Sequence, residues 1–399
     1  MNVFKYISNW FTAFGRAFRS ELKTVVHDPG VLLFFFALPL AYPVVYTLIY
    51  NPEVVREIPI AVVDDSRTPQ SRELVQKADA SPSILLYDYV ADMPEARNLM
   101  AEGKVFGIMT IPSDYAKSLA RGETAHVEFY SDMSLLLRYR AFMSALTDLQ
   151  LDVIGDVTSD KVGSLGAASL AVGGMPVKSE SNFLGDTEQG FASFVIPGIV
   201  ILILQQSMLL GITLIGGTRR EKFRFSALDN SSATARVWGR AMCYVLLYVP
   251  MAIYVLRYIP EMFNLPHYGA AKDYLLFIFP MLLGTAFLGQ ALNLFMKERE
   301  SAFIIIVFTS VVFLFLSGLT WPRYAMNQVW TWVGNCVPAV WGVEGFIRIN
   351  SNAASLAESA EPFKAMWILS AIYMLAAIWV TKYLDLRHSR VASSHNGRN

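Results

Sequence analysis

Val31-Leu-Leu-Phe-Phe-Phe-Ala-Leu-Pro-Leu-Ala-Tyr-Pro-Val-Val-Tyr-Thr-Leu-Ile-Tyr50 runs from Asp28-Pro29-Gly30 to Asn51-Pro52 without a charge. A helix rises 1.5 Å per residue, so about 20 residues cross a hydrocarbon core of about 30 Å. The stretch is longer than the apolar core of a signal peptide and contains Pro39 and Pro43. No small-residue cleavage site follows it, so it is expected to stay as a spanning helix. A polar insert then runs to about residue 190. Five further apolar stretches follow, at 191–217, 241–256, 274–296, 301–322 and 366–381. This order predicts a polytopic α-helical membrane protein with six transmembrane helices and one inserted domain. The whole chain agrees, with 54% hydrophobic and only 17% charged residues.

The net charge is zero, but the charges are segregated. The 51–190 insert holds 21 acidic and 12 basic residues. The excess of basic residues lies in 1–30, 217–240 and 382–399, while 297–300 is balanced. Positive residues at span ends stay on the cytoplasmic side, which places the N- and C-termini inside and the insert outside. Six crossings satisfy that parity. The chain then divides into a cytoplasmic interface helix at 1–30, span one at 31–50, the extracytoplasmic domain at 51–190, spans two to six within 191–384, and a cytoplasmic tail at 385–399. The insert has no cysteine, so it folds without disulfides; Cys243 and Cys336 lie in apolar segments.

Phe4, Ile7, Phe11, Phe14, Phe18, Leu22 and Val25 recur at spacings of three and four, with basic and polar residues between them. That is an amphipathic helix for the inner membrane interface, read either as an anchor or as a dock for a cytoplasmic partner. In the insert, strand-like runs at Ile58–Val63, Ile84–Val90, Val105–Ile111 and Ala125–Tyr130 alternate with helical runs at Ser71–Ala80, Pro94–Gly103 and Ala116–Arg121. A longer helix carries Tyr139, Phe142, Leu146, Leu149, Val153 and Val157 on one face. The order predicts a small α/β domain, with Gly163–Gly174 as a flexible return.

No catalytic, cofactor or metal site is visible. Asp64, Asp65 and Asp132 sit at strand ends, where they either cap helices or hold a cation. The five histidines form no ligand-spaced pair. Gly216-Gly217-Thr218-Arg219-Arg220 lacks the spacing of a phosphate loop, so the chain has no motor of its own. The centres of all six spans lack ionisable residues, with Gln205, Gln206 and Asn293 the most polar groups. This argues against ion coupling, which places such groups at mid-membrane. The energy for transport would then enter from a separate subunit. Its dock is read in the 218–236 loop, where Arg220, Glu221 and Lys222 are joined by the apolar Phe223 and Phe225, and in Phe11 and Phe18 of the first helix. The basic residues alone are equally explained by topology.

After the fifth apolar stretch come Ser317-Gly318, Trp321-Pro322, Pro338, Glu344 and Arg348. A full crossing by 324–343 would put Lys382, Arg387 and Arg390 outside, against the charge rule. Segment 321–349 is therefore expected to form re-entrant helices lining a gate, with Glu344 and Arg348 one turn apart as a brace.

These residues resemble the permease subunit of an ABC exporter of the type-2 (ABC-2 type) family, in the subgroup with a large extracytoplasmic domain between spans one and two. Three motifs carry the likeness, which covers nearly the whole chain. The first is Ser317-Gly318 with Trp321-Pro322 and Pro338. The second is Arg220-Glu221-Lys222 leading to Gly239-Arg240. The third is Ile60-Ala61-Val62-Val63-Asp64-Asp65-Ser66 with Ile111-Pro112-Ser113-Asp114-Tyr115. The chain departs from the family where relatives commonly show an E-R-E-x-G-T-like run and here stands Arg220-Glu221-Lys222-Phe223-Arg224. It departs again at Tyr130-Ser131-Asp132-Met133-Ser134, where many relatives carry an Asp-x-x-Asn-like turn.

The resemblance implies two permease subunits, as homodimer or heterodimer, paired with cytoplasmic ABC ATPase subunits that use ATP and Mg. Many such permeases of Gram-negative bacteria, in the inner membrane, also work with a periplasmic adaptor and an outer-membrane channel. No nucleic acid is implied. The uncharged spans favour an amphipathic or lipid-like cargo, a drug, a lipid or a related compound, moved outward. The competing class is a non-pumping receptor or scaffold whose outer domain binds an external ligand. A lipid-modifying enzyme is a third reading, weakened by the missing catalytic constellation.

Overall fold

A computed structural model describes residues 3–50, 56–121, 125–132, 139–147, 149, 191–222 and 231–396. The chain divides into two compact units, Met1–Glu53 with Phe183–Asn399, and Val54–Asn182.

Among the described residues, the first unit holds six helices long and apolar enough to cross a membrane. They are span one (Pro29–Tyr50), span two (Phe191–Glu221), span three (Ala233–Met262), span four (Ala271–Leu292), span five (Arg299–Leu316) and span six (Ala360–Leu386). Span two is the central one, with 89% of its apolar window buried in the protein; span five has 17%. Span two also has almost no polar stripe, as expected of a helix surrounded by neighbours. Val3–His27 forms the long helix before span one.

Several boundaries differ from the sequence reading. Span five ends at Leu316 rather than near 322. Ser317 caps it, its Oγ donating to the Leu314 carbonyl at 2.6 Å, and Gly318 follows at φ +91°, which breaks the helix. Span four ends at Leu292 rather than 296, and span three begins at Ala233, eight residues before the uncharged stretch. Spans one and three each contain a π-helical turn, Leu33–Ala37 and Tyr254–Tyr258. Each lies just before a proline, Pro39 and Pro260, whose missing N–H leaves the carbonyl four residues back without its α-helical bond. The first π turn directs Phe35 into the core. There it packs edge-on against Tyr248 with ring centroids 4.9 Å apart, and against Gly211 of span two. A Cβ at Gly211 would collide with that ring, so span two needs glycine there.

The second unit holds a four-stranded sheet in the order β2-β1-β3-β4, with β1 Ile58–Asp64, β2 Ile84–Val90, β3 Gly107–Ile111 and β4 Glu128–Ser131. β1 is parallel to β2 and β3, and β4 is antiparallel to β3. The two strand-to-strand crossovers, β1 to β2 and β2 to β3, carry helices Pro69–Asp79 and Met93–Ala101, as parallel strands of one sheet require. Alternation along β1 builds two cores. Ile58, Ile60 and Val62 face Leu74, Val75 and Phe142, while Ala61 and Val63 face Ala96. Strand four begins at Glu128, three residues later than its sequence pattern, and strand three at Gly107 instead of Val105. Gly107 is needed because a Cβ would sit 2.9 Å from both Ile60 and Phe142. Of the expected long helix, Phe142, Leu146 and Leu149 lie in the core, while Val153, Val157 and the stretch 163–174 fall outside the described residues.

Asp64 is a turn-former. Its Oδ1 accepts the N–H of Ser66 and of Arg67, each at 3.0 Å, and its Oδ2 accepts from Ser71 Oγ at 2.7 Å. Among the described residues no group of His, Cys, Asp or Glu is placed to hold a metal.

Candidate functional site

The long first helix packs along span three. Trp10 Nε1 donates to Thr234 Oγ1 at 3.1 Å. One turn of span three further on, Gly239 lies so close that a Cβ would stand 2.6 Å from the Phe14 carbonyl oxygen. Among the described side chains of this helix, Ala13, Glu21 and Val25 are buried and Phe14, Ala17 and Phe18 half-buried, while Ile7 and Phe11 are exposed. The helix is thus rotated relative to the Phe-rich stripe in its sequence. Small residues and one carboxylate face the protein, because only they permit the close approach to Gly239. Phe11 is 63% exposed and points elsewhere, while Phe18 lines an apolar groove with Val245 and Leu246 of span three.

Glu21 is 1% exposed and is the centre of this face. Its carboxylate accepts from Arg219 at the end of span two at 2.5 Å, pairs with Arg240 Nε at 3.5 Å, and accepts from the Tyr244 hydroxyl. Burial pushes the carboxyl up, but Arg219 and Arg240 outweigh that and hold it below the usual glutamate range. A buried carboxylate is tolerable only when paired and hydrogen-bonded, and this one has three partners. The first helix, span two and span three are thereby joined at one point.

A second junction lies at the start of span one. Asp28 caps span one, accepting the N–H of Gly30 at 3.0 Å and of Val31 at 3.2 Å. The same carboxylate receives both terminal nitrogens of Arg299, at 2.6 and 2.7 Å, and Arg299 also donates to Thr218 Oγ1 at 2.9 Å. The Arg299 fork holds the Asp28 carboxyl below its usual range. Spans one, two and five are fastened together here.

Of the residues read as an ATPase dock, Arg220 and Glu221 bond to neighbouring spans. Arg220 donates to the carbonyls of Asn293, Leu294 and Met296, at 3.2, 2.9 and 2.7 Å, closing the end of span four. Glu221 Oε1 accepts the Arg299 N–H at 2.8 Å and caps span five. The backbone of Lys222 ends the span-two helix, and Phe223 and Phe225 fall outside the described residues. Arg220 and Glu221 therefore tie the end of span two to spans four and five. Glu21, Asp28, Arg219 and Arg299 carry more of the junction, and the sequence signal for them was only a carboxylate on an apolar stripe and charges beside span ends.

A second cluster organises the segment after span five. Helices Gln328–Asn335 and Pro338–Asn352 follow a short turn. Glu344 accepts from Arg348 at 2.5 Å and from Arg323, and Arg323 also donates to Asn335 Oδ1 and lies over the Trp341 ring at 4.7 Å from its centroid. The Glu344 and Arg348 contact is thus part of a network built around Arg323, a lone cation in an otherwise uncharged window. Ser317 and Gly318 end span five, and Leu319 beside them packs on Gly198 of span two. Trp321 is exposed with its Nε1 donating to the Ala325 carbonyl at 3.2 Å, and Pro322 begins the short Arg323–Ala325 turn. Pro338 starts its helix, and the N–H of Ala339 beside it is received by Gln205 of span two at 2.7 Å. Gln205 hence satisfies an orphan donor of that helix at mid-span, where water could not.

Six apolar crossings, a sheet-bearing insert after the first, and charged junctions at the span ends define a polytopic helical membrane protein without catalytic apparatus among its described residues. Residues 29–379 match the family described as ABC-2 family transporter protein, so the chain belongs to that family, the membrane component of ABC transporters, which work with an ATPase. No curated protein matches the chain.

Proposed function

We propose that this chain is one permease half of an ATP-driven exporter that moves an amphipathic or lipid-like substrate outward. It pairs with a second permease, identical or related, and with cytoplasmic ATPase subunits that bind ATP and Mg. The sheet-bearing insert lies outside, the termini lie inside, and the membrane is the inner membrane of the cell. The uncharged span centres support a cargo that partitions between leaflets over an ion.

The observation that carries the reading is Glu21, which joins the first helix to spans two and three through Arg219, Arg240 and Tyr244. A push from an ATPase on the first helix would reach both spans without slack, because the link is a buried multi-partner ion pair. Exposed Phe11 is the apolar group that such a partner can seat. The test is co-expression with an ABC ATPase encoded beside it, followed by purification and reconstitution. F11A should weaken ATPase retention about tenfold. E21Q should keep the ATPase bound but move less cargo per ATP hydrolysed. A wild-type chain that retains no ATPase, or an E21Q complex with unchanged transport per ATP, overturns the reading.

A further inference from the structure

The first helix, span three and span four leave an open apolar groove of about 470 Å³ between them. The first helix contributes Phe14 and Phe18, span three Met242, Val245 and Val249, and span four Phe279. Met242 and Val249 stand about 14 and 24 Å along span three from its start at Ala233, beyond Arg240 and within its uncharged length. What fills the groove at that depth must therefore be apolar. At Gly15 the lining is open, because a Cβ there would meet no atom within 4 Å.

The edge of the groove has the opposite chemistry. Arg19 is exposed and is the only charged residue lining it among the described residues. Arg16 and Lys23 are exposed on the same helix. Glu21 is the only carboxylate in Val3–His27, and it is buried and already shared between Arg219 and Arg240. The helix thus offers three exposed cations and no exposed anion of its own. An occupant complementary to both parts carries a flexible apolar tail and an anionic head. An acyl chain in a groove is touched from several sides, where lipid beside a single span is touched from one. The arginine fork suits a phosphate, and basic residues at the membrane surface favour anionic lipid.

We propose that this groove holds one acyl chain of an anionic phospholipid, with Arg19 bonding its phosphate. The site is tested without an ATPase, so it and the transport reading can fail separately. The full chain in mild detergent is equilibrated with equal amounts of phosphatidylglycerol and phosphatidylcholine carrying the same acyl chains. Bound lipid is then counted by native mass spectrometry. One phosphatidylglycerol should remain after the other lipids are stripped, favoured over phosphatidylcholine about fivefold.

R19Q should remove that preference. Lys382 is exposed at the end of span six and does not line the groove, so K382Q should keep it, which separates the site from general attraction to anionic lipid. G15L puts an apolar side chain into the open part of the groove and should lower retention of the last lipid about tenfold. Leu246 is an exposed residue of the lining, and L246W fills the groove from span three; it decides if G15L fails to fold. Equal retention of the two lipids, an unchanged preference in R19Q, or full retention in a folded G15L overturns the site. So does a wild-type chain that keeps no lipid, or one that carries a second copy of itself instead.

Discussion

Glu21 is placed where a charge is hardest to keep, and three partners hold it there. Removing one partner of a buried pair costs about 3 kcal/mol, because the remaining charges lose their compensation while staying out of water. E21Q retains a hydrogen-bonding group for Tyr244 but strands Arg219 and Arg240, so it should lower the melting temperature of the detergent-solubilised chain. The pH dependence follows from the lowered carboxyl. Its contribution is fully present above the ordinary glutamate value of about 4.3 and is lost as pH falls through the lower folded value. Wild type should therefore lose melting temperature more steeply than E21Q on acidification below that point. Parallel curves for the two proteins would mean that Glu21 contributes no pH-dependent stability.

At the scale of the element, the first helix and span three are held at backbone distance by Gly239. Alanine in an unobstructed helix is about 1 kcal/mol better than glycine. Here its Cβ would stand 2.6 Å from a backbone oxygen and 3.0 Å from the Ala17 Cβ, and backbone cannot step aside cheaply. Overpacking of this kind costs about 1–3 kcal/mol, so G239A should destabilise the chain despite its better propensity. A rise in melting temperature for G239A would mean the helix is free to lift from span three. The same variant should reduce transport per ATP, since it moves the first helix away from the Glu21 junction. The helices after span five show the converse arrangement: there a polar side chain, Gln205, reaches out of a buried span to receive the N–H of Ala339.

For the whole molecule, the charge split between the insert and the span ends predicts an insert outside and a first helix inside. In a C243S/C336S background, Glu73→Cys in the insert should react with a membrane-impermeant maleimide added outside intact cells. Ser20→Cys in the first helix should react only after the membrane is opened. Both positions are exposed, so a lack of labelling is not a matter of burial. Labelling of Ser20→Cys first would reverse the orientation and remove the first helix as an ATPase contact.

The six long apolar helices and the alternation of strands and helices from β1 to β4 were legible in the chain because they follow from local composition and period. An uncharged run of sufficient length needs no tertiary partner to be recognised, and β1 and β2 show their pattern within a few residues. The span ends were less legible: 301–322 is continuously apolar, yet Ser317 and Gly318 end the helix at Leu316. The hydrophobic stripe of the first helix was visible in the sequence, but its protein-facing side was not, because close packing on Gly239 selects small residues over large aromatic ones. Arg220 and Glu221 were visible as charges, but their role as caps of spans four and five depended on neighbours more than 70 residues away. Glu21 meets Arg219 across 198 residues of chain, and such a pairing exists only once the helices are packed. Apolar length, charge sign and period are properties of a segment by itself, whereas ion pairs, caps and cavities are properties of surfaces that folding brings together.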